Sequence, residues 1–197
     1  MADVMQAARS ETDAPEMVTD PIVEMISSGK HRDAVAECAR THHRVIGRLA
    51  MALVGSQADA DEVVQETLLR AHRAMPTYRA EGSVKAWLCG IARHVCAHVL
   101  ETRQRGANLG DALELAIVPG DPASRDLFET RRRARAIRVA LDQLKPSERE
   151  ALVMRYVAEL SHREIAVACG IDEAAARKRI SRALARMRTV LPAEEMS

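Results

Sequence analysis

The residues with the clearest chemical purpose lie late in the chain, in SHREIAVACGIDEAAARKRISRALARMR, residues 161–188. Between residues 173 and 190, Arg177, Lys178, Arg179, Arg182, Arg186 and Arg188 stand against Glu173 alone, a local charge of +5. Cations at that density suit a polyanion, because each Lys or Arg laid on a phosphate releases a condensed counterion. The same segment has the spacing of two helices crossing at a turn. Ala166 is small enough for the crossing, Gly170 tolerates positive φ, and Ile165, Cys169, Ile171 and Ala176 supply the buried contacts. The second helix carries the cations, so Arg177, Lys178, Arg179 and Arg182 are candidates for phosphate or base-edge contact. Arg163 stands on the first helix, and small Ala174 and Ala175 permit close approach. An ordinary helical hairpin with a charged face shares the charge but not this combination of small, turn and buried positions.

Two further groups invite a chemical reading. Asp61, Glu62, Gln65 and Glu66 form an acidic face suited to an Arg-rich partner, since charge-assisted hydrogen bonds are the strong ones. A helix start favours acids, which accounts for Asp61 and Glu62 but not for Gln65 and Glu66 a turn later. His94 and His98 have the i, i+4 spacing of metal-ligand pairs, with Cys89 and Cys96 nearby, and His31, Cys38, His42 and His43 make a looser cluster. No CxxC or HExxH pattern accompanies them. Cys38, Cys96 and Cys169 fall on or near apolar stripes, so the four cysteines read as small hydrophobes with no disulfide, metal or cofactor expected.

The elements that must position these groups are helical. Aromatic residues make up 2% of the 197, too few for a large sandwich or barrel, and the mixture of 47% hydrophobic and 29% charged residues is globular. Val35, Cys38, Val45, Leu49 and Leu53 give a first long helix over 31–53, stopped by Gly55. Asp59 with Glu62 reads as the cap of a second, striped by Val64, Leu68, Ala71 and Met75 and ended by Pro76. Ser83 caps a third. Residues 106–124 hold three Gly and two Pro, a linker composition. Beyond it a helix runs from about Asp126 to Leu144, and capping boxes at Ser147–Glu150 and Ser161–Glu164 and a cap at Asp172 open three more. Residues 1–30 carry six acids against Arg9 and Lys30. No apolar run approaches the ~18 residues a membrane crossing needs, and the start lacks signal-peptide features, so a cytoplasmic location is expected.

Three stretches in order, DADEVVQETLLRAHRAM, EGSVKAWLCGIARHV and LKPSEREALVMRYVAELSHREIA, resemble bacterial RNA polymerase sigma factors of the sigma-70 family, extracytoplasmic-function group. The resemblance covers residues 31–190. It implies an all-α fold of two helical domains. Residues 29–105 would be region 2, for polymerase clamp binding and minus-10 recognition. Residues 126–192 would be region 4, a helix-turn-helix for minus-35 recognition. An acidic extension without fixed structure would occupy 1–28 and a flexible linker 106–125. Asp61, Glu62, Gln65 and Glu66 would meet the β′ clamp helices of core polymerase, whose β flap is a second contact. Thr77, Tyr78, Arg79, Ser83, Lys85 and Arg93 would meet minus-10 DNA, Tyr78 by stacking on a flipped base. Arg103 and Arg105 would follow the single strand, and Trp87 would anchor the third helix. Arg163, Ala174, Ala175, Arg177, Lys178, Arg179 and Arg182 would meet minus-35 DNA. Where the family has an Asn and then an Asp, this chain has His94 and His98, and no base-reading role passes to them. An anti-sigma partner is also implied.

Two other classes compete. A stand-alone helix-turn-helix regulator would bind an operator without polymerase, but it leaves the acidic helix and loop of the first block without a role. An enzyme would need a Gly-rich phosphate loop, a nucleophile elbow or a carboxylate pair, and none is present.

Overall fold

The computed structural model describes residues 20–107 and 125–191, and these form helices and turns without a strand. In chain order the helices are α1 (Pro21–Ser27), α2 (His31–Val54), α3 (Gln57–Ala74), α4 (Val84–Ala107), α5 (Arg125–Asp142), α6 (Pro146–Tyr156), α7 (His162–Cys169) and α8 (Glu173–Val190). The all-α expectation holds.

Helix α1 corrects the expected boundary of the N-terminal extension. Asp20 accepts a hydrogen bond from the Ile22 N–H at 2.9 Å, Pro21 takes the first turn, and Ile22 and Ile26 are buried against the rest of the core. Proline suits a first helical turn, where its missing N–H costs nothing. Residues 1–19 lie outside the described residues, as do 108–124 of the linker expected at 106–125, whose ends at 106–107 and 125 belong to α4 and α5.

In the first block α2 buries Ala34, Cys38, Ile46, Leu49 and Leu53, and Gly55 closes it in the left-handed region at φ +80. Two arginines satisfy the last α2 carbonyls. Arg103 donates to Val54 O at 3.0 Å, and Arg138, from α5, donates to Met51 O at 2.7 Å and Ala52 O at 3.2 Å. A cation at a helix C-terminus is favourable for the orphan carbonyls and for the macrodipole. Helix α3 is capped by Ser56 rather than Asp59, whose N–H donates to Ser56 Oγ at 3.4 Å. Asp59 is instead paired with Arg103. The buried stripe is Ala60, Val63, Thr67 and Ala71, with the expected Val64 and Leu68 half-buried on its flank. A short 3-10 turn, Met75–Thr77, follows, and Ser83 caps α4 by accepting from the Ala86 N–H at 3.2 Å.

The second block is built as read except at one cap. The Ser147–Glu150 box does not form: Lys145 is the cap residue and Pro146 starts α6, leaving Glu150 free to reach another helix. The Ser161–Glu164 box does form, Gly170 ends α7 at φ +64, and Asp172 caps α8 through the Ala175 N–H at 2.7 Å. The expected freedom between the blocks is not what the described residues display. Helix α4 packs on α7 and α2 on α6, and one apolar cluster runs through both blocks.

Candidate nucleic-acid interface

Helices α7 and α8 make the crossing that the small residues call for. Ile165 and Ala176 are fully buried, Ala166 nearly so, and Cys169 and Ile171 half-buried. Burying that side of α8 turns Arg177, Lys178 and Arg182 outward, with Ala174 exposed near the helix start and Arg179 on the flank. Arg163 is exposed on α7. Arg177 is not idle: it is paired with Glu173 one turn earlier, an exposed i, i+4 pair. Arg186, further along, reaches the buried Glu148 at 3.4 Å.

The loop between α3 and α4 is a small closed structure. Thr77 Oγ1 donates to Ala74 O at 3.0 Å, and the Tyr78 hydroxyl donates to Gly82 O at 3.2 Å across the loop. The Tyr78 ring lies 4.8 Å from that of Trp87, tilted by 52°. One aromatic edge is therefore committed to anchoring, and burial pushes the Tyr78 phenol up from its ordinary value. Ala80 is held at φ +52, a left-handed conformation that a non-glycine residue adopts at a cost of about 1 kcal/mol. These residues enclose a pocket of about 260 Å³ lined by Thr77, Tyr78, Arg79, Ser83 and Trp87. Val167 of α7 also lines it, a contributor no loop motif could have indicated.

The cations expected around this loop divide into free and engaged. Arg79 is exposed, and Lys85 is half-buried. Arg93 is engaged: its guanidinium is 3.2 Å from Glu150 of α6 and 2.8 Å from His94 Nε2, and its side chain is only 17% exposed. The expected backbone-tracking role for Arg93 thus requires it to leave a carboxylate first. Arg103 is held by Asp59 and Val54 O, and Arg105 is 3.5 Å from Glu101.

On α3, Asp61, Glu62 and Gln65 are exposed, with Gln57 Nε2 donating to Asp61 at 2.8 Å. Glu66 is half-buried and paired with Arg70 at 2.7 Å, so it is the least available of the four. Beside them Arg44 and Arg48 of α2 line an open cleft with Asp61 and Gln65. In the second block an apolar groove of about 450 Å³ runs between α5, α6 and α8, lined by Ile137, Leu141, Tyr156, Leu184, Met187 and Leu191. Ile137 and Tyr156 are large and exposed there, at 40% and 60%. Of these residues the sequence singles out Leu184 as facing an anti-sigma partner, but neither Ile137 nor Tyr156, because neither breaks its helix's periodicity.

The histidine and cysteine groups do not converge: among the described residues no set of three His, Cys, Asp or Glu side chains is placed to hold a metal ion. Burial pushes the Cys38 thiol up to about 11 and the Cys89 and Cys96 thiols to about 12. Burial also lowers His42 and His94, the latter helped by the adjacent Arg93.

Family models match both blocks: Sigma-70 region 2 over residues 38–106 and Sigma-70, region 4 over residues 134–187. The ECF RNA polymerase sigma factor SigC of Mycobacterium tuberculosis is 33% identical over 137 residues, covering 68% of this chain and 70% of that one. The chain belongs to the extracytoplasmic-function sigma factors. EcfG of Rhodopseudomonas palustris is 30% identical over 145 residues, covering 72% of this sigma factor and 76% of EcfG. Among solved structures, the sigma factor RpoE in complex with the anti-sigma factor NepR from Bartonella quintana aligns with a TM-score of 0.61 at 25% identity. That alignment covers 81% of this chain and 96% of RpoE. CnrH in complex with the cytosolic domain of CnrY aligns at 0.63 and 23% identity, covering 86% and 94%, and supports the fold alone. Sigma-family membership leaves the stand-alone operator binder without support. Among the described residues no helix is long and apolar enough to cross a membrane.

Proposed function

We propose that this sigma factor docks on core RNA polymerase, reads two promoter elements with its two blocks and starts transcription of a specific regulon in the cytoplasm, without catalysis of its own. Asp61, Glu62 and Gln65 on α3, with Glu66 behind them, meet the β′ clamp helices, and the apolar groove around Tyr156 receives the β flap. Helix α8 lies in the major groove of the minus-35 element through Arg177, Lys178 and Arg182, with Arg179 and Arg163 on the backbone and Ala174 and Ala175 against base edges. The loop of Thr77, Tyr78, Arg79 and Ser83, with Lys85 and Arg93, takes the minus-10 strand. An anti-sigma factor restrains the protein until it is needed.

The observation that carries the reading is the pairing, in one chain, of an outward cationic helix on a helix-turn-helix with an exposed acidic face on α3. An operator-binding protein needs the first and has no use for the second. Run-off transcription with core polymerase on a promoter library tests it. New start sites should appear with the protein present, and a library on which none appears refutes it.

A further inference from the structure

Helix α5 carries a run of positive charge denser than that of α8. Between residues 131 and 138, Arg131, Arg132, Arg133, Arg135 and Arg138 stand with no acid among them, five cations in eight residues. Spacings of three and four residues, Arg131 to Arg135, Arg132 to Arg135 and Arg135 to Arg138, set like charges side by side on the helix and destabilise it. Arg138 is turned to the α2 carbonyls. Arg133 and Arg135 are exposed, and among the described residues neither has an ion pair. Their charges do nothing for the fold, and the promoter contacts described above leave them unused.

The place of α5 in the second block decides which polyanion suits these cations. Ile137, one turn after Arg133, lines the same apolar groove as Met187 of α8, and Met187 lies five residues beyond Arg182. At 1.5 Å per residue those two runs measure ~6 Å and ~7.5 Å, and packed helix axes lie ~8–10 Å apart, so Arg133 stands within roughly 25 Å of Arg182. That is about seven base pairs of B-DNA at 3.4 Å each. Once α8 is in the major groove, phosphates of the same duplex reach α5 at high effective concentration, whereas RNA or an acidic protein segment would have to be captured separately. Resting on the function proposed above, we infer that Arg133 and Arg135 form a second phosphate-binding site, which grips the duplex backbone within about seven base pairs of the minus-35 contacts. Phosphate contacts carry no base readout, so the site adds affinity and leaves sequence preference to α8.

Arg133→Ala/Arg135→Ala supplies the test. Alanine keeps the helix and removes like-charge contacts, so the urea midpoint should not fall. Reconstituted holoenzyme is titrated by anisotropy between 50 and 200 mM salt on two promoter duplexes selected by run-off transcription. The second duplex differs only in carrying neutral methylphosphonates over the seven base pairs on each side of the minus-35 element. On the unmodified duplex the double variant should flatten log affinity against log salt by about 1.8, two contacts of about 0.9 each, a change of about 12-fold across that range. On the neutralised duplex variant and parent should coincide, while start sites stay the same for both. A slope as steep as the parent's on the unmodified duplex, or an equal deficit on both duplexes, overturns the site. A double variant that binds DNA as the parent does but loses cross-linking to the nascent transcript assigns α5 to RNA and overturns it as well. Failure of the function reading has another signature: no template gains a start site with the parent protein, and this inference falls with it.

Discussion

Arg182→Ala offers the cleanest measurement of how α8 meets DNA. Arg182 is exposed on the outward side of α8, and among the described residues no ion pair competes for it. Replacement by alanine keeps the helix, since alanine has the highest helix propensity. If the guanidinium sits on one phosphate, its loss should flatten the plot of log affinity against log salt by about 0.9. Between 50 and 200 mM salt that contact weakens about 3.5-fold, so the deficit of the variant shrinks by the same factor as salt rises. Arg177 differs because Glu173 holds it through an exposed pair, both side chains well solvated at 64% and 42%. Such pairs contribute about 0.3 to 0.5 kcal/mol, so Glu173→Gln should release Arg177 and raise promoter affinity about twofold. The assay is fluorescence anisotropy of reconstituted holoenzyme on a duplex selected by run-off transcription, titrated at several salt concentrations. A slope for Arg182→Ala as steep as that of the parent would show that α8 does not contact phosphate there.

Three other outcomes follow from single observations. Thr67 is fully buried and its hydroxyl has no hydrogen-bond partner, so Thr67→Val should stabilise the protein by about 1 kcal/mol in urea unfolding; a loss of stability would reveal an unseen partner. Asp61→Lys with Glu62→Lys should abolish co-purification with core polymerase while changing stability by no more than about 0.5 kcal/mol, because both residues are exposed. The buried thiols should resist alkylation at pH 7.5. Their folded values are raised, so their contribution is intact below pH 9, where unfolded thiols begin to ionise, and is lost as pH rises toward about 11 for Cys38 and about 12 for Cys89 and Cys96. Cys89→Ala should flatten that alkaline decline, and an unchanged profile would remove Cys89 from the account.

Local chemistry was readable where one residue type determines it. Ser83, Ser161 with Glu164, Asp172, Gly55 and Gly170 all cap or end helices as their types demand. Misreadings arose where two residues could satisfy the same backbone group. Ser56 precedes Asp59 and takes the α3 cap, and Pro146, which needs no N–H partner, displaces Ser147 as the start of α6. The displaced side chains then make tertiary contacts that no local pattern encodes, Asp59 to Arg103 and Glu150 to Arg93. For the DNA-facing residues the sequence located the cations but not their partners. Arg93 and Arg177 looked alike as free charges; one is nearly buried against a carboxylate from the other block, and the other is tied one turn back.

The contacts between the blocks are made by groups that already have local duties. Ser83 Oγ accepts from the Ala86 N–H to cap α4 and donates its proton to Glu164, whose other oxygen serves the cap of α7. Arg138 satisfies the carbonyls at the end of α2, groups that a helix terminus otherwise leaves to water. Burial pushes the Glu164 carboxyl up, but the bonds from Ser83 and Ser161 outweigh it and hold it below the usual carboxylate range. The capping bonds of Ser83 and Glu164 lie within single helices and do not depend on the contact between the blocks. The Ser83–Glu164 contact is one hydrogen bond to an ionised carboxylate, a class that contributes about 1.5 to 3 kcal/mol. The costlier contact is Arg93 with Glu150, both side chains more than four-fifths buried, where an incoming phosphate would replace the carboxylate on Arg93. A well-buried polar link between the blocks thus holds an arginine whose chemistry also suits a phosphate.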